Sequence, residues 1–87
     1  MGEIDLIMMD GECLVFTEVR YRSRNRFATA SATVDIHKQR KLIRTAAFYI
    51  ASRARYSTNV IRFDVIAIDG EAIEWIPDAF RPADSSL

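Results

Sequence analysis

Two Asp-Gly dipeptides, Asp10-Gly11 and Asp69-Gly70, each lie between segments that alternate apolar and polar residues. Glycine supplies the positive φ that a two-residue hairpin turn needs, so each dipeptide marks a pair of antiparallel strands. In residues 3–9, Glu3, Asp5 and Ile7 fall on one side and Ile4, Leu6 and Met8 on the other. Residues 13–22 resume the alternation. In residues 60–68, Phe63, Val65 and Ala67 alternate against Arg62, Asp64 and Ile66. A short last strand is expected over 72–76, stopped by Pro77, with one helical turn at 78–80. Between the hairpins, Asp35 suits a helix N-cap, and Ile43, Ala46, Ala47, Ile50 and Ala54 recur at helical spacing, widened by Leu42. That helix is expected to start at Ile36 and end near Arg55, with a turn at 56–59. The element order is therefore β-β-α-β-β. In 87 residues it makes one domain, 1–80, with a frayed tail at 81–87.

Composition narrows the class. Hydrophobic residues make up 49% and charged residues 28%, an ordinary globular balance that excludes bulk disorder. A chain this short buries only about 60–65% of its unfolded surface, so its stability margin is thin. No apolar run approaches the roughly 18 residues of a membrane span, so no membrane partner is expected. Glu3 and Asp5 come too early for a secretory signal, and Cys13 is the single cysteine, so a reducing, cytoplasmic home is expected.

The net charge of zero conceals a polarity. Residues 1–19 carry −5, residues 20–44 carry +7 and residues 45–87 carry −2. An acidic block beside a basic one has the form of a metal site next to a polyanion-binding surface. It also has the form of two solvated faces of unlike sign.

The first hairpin holds the constellation with chemistry in it. With Asp10-Gly11 as the two-residue loop, Asp5 faces Phe16 and Glu3 faces Glu18. Glu3, Asp5, Glu18 and Arg20 then share one face, with Asp5 and Glu18 as diagonal neighbours. Converging carboxylates need a positive partner, either Arg20 or a metal ion. Oxygen-only ligands suit Mg²⁺ or Mn²⁺. Arg20 would bind phosphate rather than take a proton. Further along, Arg22 ends the second strand, Arg24 and Arg26 fall in a basic loop (residues 23–33) with Tyr21 and Phe27 nearby, and Lys38, Arg40, Lys41 and Arg44 follow on the helix. Guanidinium forks and aromatic rings suit phosphates and unpaired bases, and a solubilising surface would use the same residues. His37, alone of its type, has the look of a surface residue, Asp64 and Glu74 of solvent-facing ones (with a supporting contact behind the site as the alternative for Asp64), Trp75, Tyr49 and Tyr56 of packing ones, and Cys13 of a structural one.

Several blocks carry a resemblance. They are Gly2-Glu3-Ile4-Asp5-Leu6-Ile7, Leu14-Val15-Phe16-Thr17-Glu18-Val19-Arg20, Lys38-Gln39-Arg40, Arg62-Phe63-Asp64-Val65, Ile73-Glu74-Trp75-Ile76 and Asp78-Ala79-Phe80. In order and spacing they resemble the YraN-type uncharacterised protein family, from Gly2 to Phe80. That family in turn resembles the restriction-endonuclease-like nucleases and the Holliday junction resolvases among them. The resemblance implies an α/β fold, a restriction-endonuclease-like mixed sheet here truncated to β-β-α-β-β. Asp5 matches the signature Asp, Glu18 the signature Glu, and Arg20 stands where those nucleases usually have Lys. Lys38 and Gln39 match a recurrent pair opening the next helix. Two departures stand out. The family normally has a helix and a strand ahead of the Gly-Glu-x-Asp block, whereas Met1 directly precedes Gly2. A Gly-Gly usually follows the loop aromatic, whereas Phe27 precedes Ala28 and Thr29.

The expectation is an Mg²⁺- or Mn²⁺-dependent nuclease acting on DNA, on branched or damaged forms among others. Asp5 and Glu18 would hold the metal, Arg20 and Lys38 would steady the phosphate, and Arg22, Arg24, Arg26, Gln39, Arg40 and Lys41 would contact nucleic acid. The alternatives are a non-catalytic nucleic-acid-binding module and a structural fragment that forms a homodimer.

Overall fold

The computed structural model describes residues 4–21, 34–56 and 59–82. Within them lie β1 (Leu6–Asp10), β2 (Cys13–Tyr21), α1 (Ile36–Ala51), a single 3₁₀ turn (Ala54–Tyr56), β3 (Val60–Asp69) and β4 (Ala72–Phe80). The strands form one sheet in chain order, with β1–β2 and β3–β4 antiparallel and β2–β3 parallel. Two hairpins are thus joined side by side, and α1 is the crossover their parallel seam requires. The fold is mixed α/β, as expected. Arg22, the basic loop with Arg24 and Arg26, Glu3, and the tail from residue 83 lie outside the described residues.

Both hairpins turn on Gly-Glu rather than Asp-Gly. Asp10 pairs with Cys13 and Asp69 with Ala72, leaving Gly11-Glu12 and Gly70-Glu71 as the loops. Both glycines sit at φ +63, and neither glutamate has positive φ. A type II′ turn asks for glycine at the first central position, so Asp-Gly-Glu meets its demand one residue further along. The expected register of hairpin 1 is therefore wrong by one step of two residues. Ile7 faces Phe16 and Leu6 faces Thr17. A two-residue shift preserves which residues share a face.

Alternation divides β2 and β3 between two faces. Leu14, Phe16, Phe63, Val65 and Ala67 are buried against Val34, Leu42, Ile43 and Ala46. Through this layer runs a train of rings, Phe80–Phe63–Phe16–Tyr49–Tyr56, with centroids 5.1, 5.7, 5.8 and 5.9 Å apart in that order. Each such pair adds about 0.5–1.5 kcal/mol beyond burial, so the train ties β4, β3, β2 and the helix end together. Asp35 accepts the Lys38 N–H at 2.9 Å and starts α1. The helix stops at Ala51, short of the expected Arg55. Ser52 caps it, and Ala54 belongs to the 3₁₀ turn rather than to the apolar stripe.

The far face of the sheet carries Leu6, Met8, Tyr21, Ile73 and Trp75, all exposed. No helix covers it among the described residues. Here β4 departs from expectation: it runs on through Pro77 to Phe80 instead of stopping in a helical turn. Phe63 pairs with Phe80 and Val65 with Ile76, so extra residues bulge out of β4, and Asp78 takes φ 55. Proline is tolerated on an edge strand at a bulge.

Candidate functional site

Asp5 enters just before β1. Its Oδ2 accepts the backbone N–H of Val19 at 2.9 Å, which fastens the carboxylate beside β2. With the corrected register, Asp5 is aligned directly with Glu18 rather than diagonally, because Leu6 faces Thr17. Glu18 projects toward α1 and is only 6% exposed. A carboxylate removed from water needs positive partners, and two arrive. Lys38 Nζ, from the first turn of α1, stands 3.5 Å from Glu18 Oε2. Arg20 Nη1, two residues along β2, stands 3.5 Å from the same oxygen. The N-cap bond from Lys38 N–H to Asp35 fixes the turn that presents this lysine. Gln39 Nε2 donates to the Val34 carbonyl at 2.9 Å and braces the chain entering the helix.

The structure thus gathers Asp5, Glu18, Arg20 and Lys38 at the end of hairpin 1 away from its turn. Arg40 and Lys41 sit one turn further along α1 on its exposed side. Each acidic group has one oxygen engaged in these contacts, Asp5 Oδ2 and Glu18 Oε2. The other oxygen of each is the one a cation could use. Mg²⁺ and Mn²⁺ bind through one or two carboxylates and complete their shell with water or phosphate oxygens, so the donor set fits. Among the described residues no cluster of three or more His, Cys, Asp or Glu side chains is arranged to hold a metal.

A second polar cluster lies on the far face, and it overturns the expectation that Asp64 is solvent-facing. Asp64 is 1% exposed. Its Oδ1 accepts Arg62 Nε–H at 2.8 Å and the Asp78 backbone N–H at 2.9 Å. Its Oδ2 accepts Arg62 Nη2–H and Trp75 Nε1–H, both at 2.9 Å. Arg62 Nη1 also reaches Asp10 Oδ2 at 3.0 Å. Burial pushes the Asp64 carboxyl up, but the Arg62 fork, the Asp78 N–H and the Trp75 indole outweigh it and hold it below the usual range. The Arg62 guanidinium is raised by its bonds to Asp64 and Asp10. Four donors leave Asp64 little spare lone-pair capacity, so it organises rather than reacts. It anchors the Asp78 bulge and one side of Trp75, which remains 57% exposed instead of packing flat on the sheet. The signal that could have located this cluster is Arg62-x-Asp64, two opposite charges on one strand face beside the only tryptophan. Opposite Asp64 across the parallel seam, Thr17 is 1% exposed and its hydroxyl has no hydrogen-bond partner among the described residues.

The remaining residues fall simply. His37 is exposed, Cys13 is a half-buried free thiol, and Tyr49 and Tyr56 pack against the core. No helix among the described residues is long and apolar enough to cross a membrane.

A mixed sheet whose parallel seam is crossed by one helix, with an Asp and a Glu-x-Arg on its first hairpin, defines a small α/β domain with a cation-flanked carboxylate site. The chain belongs to the uncharacterised protein family UPF0102, whose family model matches residues 1–68. It is 51% identical over 81 residues to a UPF0102 protein of Serratia proteamaculans (strain 568), covering 92% of this chain and 69% of that protein. Over the same coverage it is 50% identical to a UPF0102 protein of Yersinia enterocolitica and 49% identical to one of Yersinia pseudotuberculosis.

Proposed function

We propose that this protein is a metal-dependent nuclease-like protein that acts on DNA in the cytoplasm. One observation carries the reading. Glu18 is a buried carboxylate met by a strand arginine and a helix lysine, with Asp5 fastened beside it. Asp5 and Glu18 would hold Mg²⁺ or Mn²⁺, and such an ion supplies charge neutralisation and an acidified water at a phosphodiester. Lys38 and Arg20 both stand 3.5 Å from Glu18, and both can turn to a phosphate when a cation takes over that carboxylate. Arg20 cannot serve as a base, so its part is electrostatic. Arg40 and Lys41 extend the positive surface from the site along α1.

A second reading, a DNA-binding module without catalysis, is favoured by Arg20 in the lysine position and by the engagement of both cations with Glu18. Calorimetric titration with Mn²⁺ of the wild type and of Glu18→Ala separates the two. The nuclease reading expects binding that vanishes in the variant, and Mn²⁺-stimulated DNA cleavage that vanishes with it. DNA binding with no Mn²⁺ binding in either protein would leave the non-catalytic module.

A further inference from the structure

We infer that the outer face of α1 is a track for an unpaired strand of nucleic acid, with Phe48 as the ring on which a base stacks. The inference rests on the DNA reading above and deepens it, naming the form of DNA and the surface that takes it.

The outer face of α1 carries Arg40, Lys41, Arg44 and Phe48, all exposed, opposite the buried Leu42, Ile43 and Ala46. Arg40, Arg44 and Phe48 follow one another at intervals of four, so they form a single ridge with a rise of about 6 Å per step. Phe48 is 58% exposed, a large ring in a basic row.

The charge on this helix is placed against the helix's own stability. The helix dipole, positive at the N-terminus and negative at the C-terminus, favours acidic residues in the first turn and basic ones in the last. The first turn of α1 holds no acidic residue and the last no basic one, while Lys38, Arg40 and Lys41 crowd the N-terminal end. Arg40 and Arg44 are like charges four apart, Lys38 and Lys41 like charges three apart, and the helix itself contains no acid. Lys38 has Glu18 as its partner, and a polyanion lying along the outer face would offset the charge of Arg40, Lys41 and Arg44 together.

The exposed ring selects the form of polyanion. A duplex buries its bases and offers a phenyl ring only sugar and phosphate. An unpaired strand offers base faces, and stacking on an aromatic side chain works for any base. A membrane-surface helix would need a whole apolar face toward lipid, but the apolar stripe of α1 is spent on the core. The track leads toward the N-terminal turn, where Lys38 stands at Glu18. A strand following it is delivered to the proposed site.

The test is fluorescence anisotropy with labelled oligo-dT and with a duplex of equal length, on wild type, Phe48→Ala, Phe48→Trp and the triple Arg40→Gln/Lys41→Gln/Arg44→Gln. The single strand is expected to bind more tightly than the duplex. Phe48→Ala is expected to weaken oligo-dT binding about five-fold or more and Phe48→Trp to keep it. The triple variant is expected to flatten the salt dependence of single-strand binding by about two units of slope. Because these side chains are exposed, circular dichroism should show the fold intact. Oligo-dT binding unchanged in Phe48→Ala, or a preference for duplex, overturns the track while leaving DNA binding as such in place. Binding of neither DNA by the wild type overturns the DNA reading and the track together, as does binding only to vesicles of phosphatidylserine.

Discussion

Removing the Asp64 carboxylate tests the far-face network most directly. In Asp64→Ala, the Arg62 fork, the Trp75 indole and the Asp78 N–H all lose their acceptor. Arg62 keeps its contact with Asp10, so its charge is not wholly orphaned. Breaking a buried ion pair from one side costs about 3–5 kcal/mol. A domain of this size holds roughly 4–13 kcal/mol in total, so the loss is about a quarter of the stability or more. Urea unfolding followed by circular dichroism is the assay, with Trp75, the single tryptophan, as a second probe. The midpoint is expected to fall by roughly 1–5 M. Asp64→Ala/Arg62→Met should recover only part of this, because Trp75 and Asp78 still lack an acceptor. A single-variant loss below about 1 kcal/mol would refute the reasoning, since it would place the four bonds on a par with surface contacts. The same network sets an acid dependence. The folded-state Asp64 carboxyl lies below its ordinary value, so its contribution is present above the unfolded value and is lost as pH falls through the folded one. Wild type should therefore lose its advantage over Asp64→Asn on acidification below about pH 4.

Smaller perturbations give sharper readings of single elements. Gly70→Ala meets open space but must hold φ +63, so denaturation should show a loss of about 1–2 kcal/mol from backbone strain alone. Asp35→Ala removes the cap of α1 and should cost about 1 kcal/mol in thermal or urea unfolding. Phe16→Ala opens the middle of the ring train and should cost about 3–5 kcal/mol, read by circular dichroism as a lowered unfolding midpoint.

Much of the architecture was legible because it depends on parity and period. The Asp-Gly dipeptides, each followed by Glu in an Asp-Gly-Glu triplet, mark both hairpins, and the loop length of two keeps Asp5 and Glu18 on one face even though the turn sits one residue later. Pattern could not choose between Asp-Gly and Gly-Glu, because type I′ and type II′ turns both accept this triplet. The Asp35 cap and the apolar stripe located α1. Its end was overestimated because Ala54 continues the stripe numerically after Ser52 has already closed the helix. Pro77 was read as a stop by a local rule that an edge strand is free to break. Asp64 was misplaced for a different reason. Alternation says which residues share a face but not whether that face is wet. Its burial depends on Arg62, Trp75 and the bulge at Asp78, brought together only by pairing β3 with β4. The meeting of Lys38 with Glu18 was likewise beyond any spacing rule, since it depends on how the crossover lays α1 on β2.

The parallel seam between β2 and β3 has a consequence for how the molecule assembles. Each hairpin closes on near neighbours and can form within about 1–10 μs. The seam instead joins Cys13 to Val60 and Tyr21 to Ile68, across the whole crossover. Such distant pairing must meet its loop-closure cost before its contacts form, so it governs the folding rate. Lys38 rides on that crossover and comes within reach of Glu18 only when α1 docks. The carboxylate site is thus complete only once the crossover has docked, and its assembly is tied to the slow, long-range seam rather than to either fast hairpin.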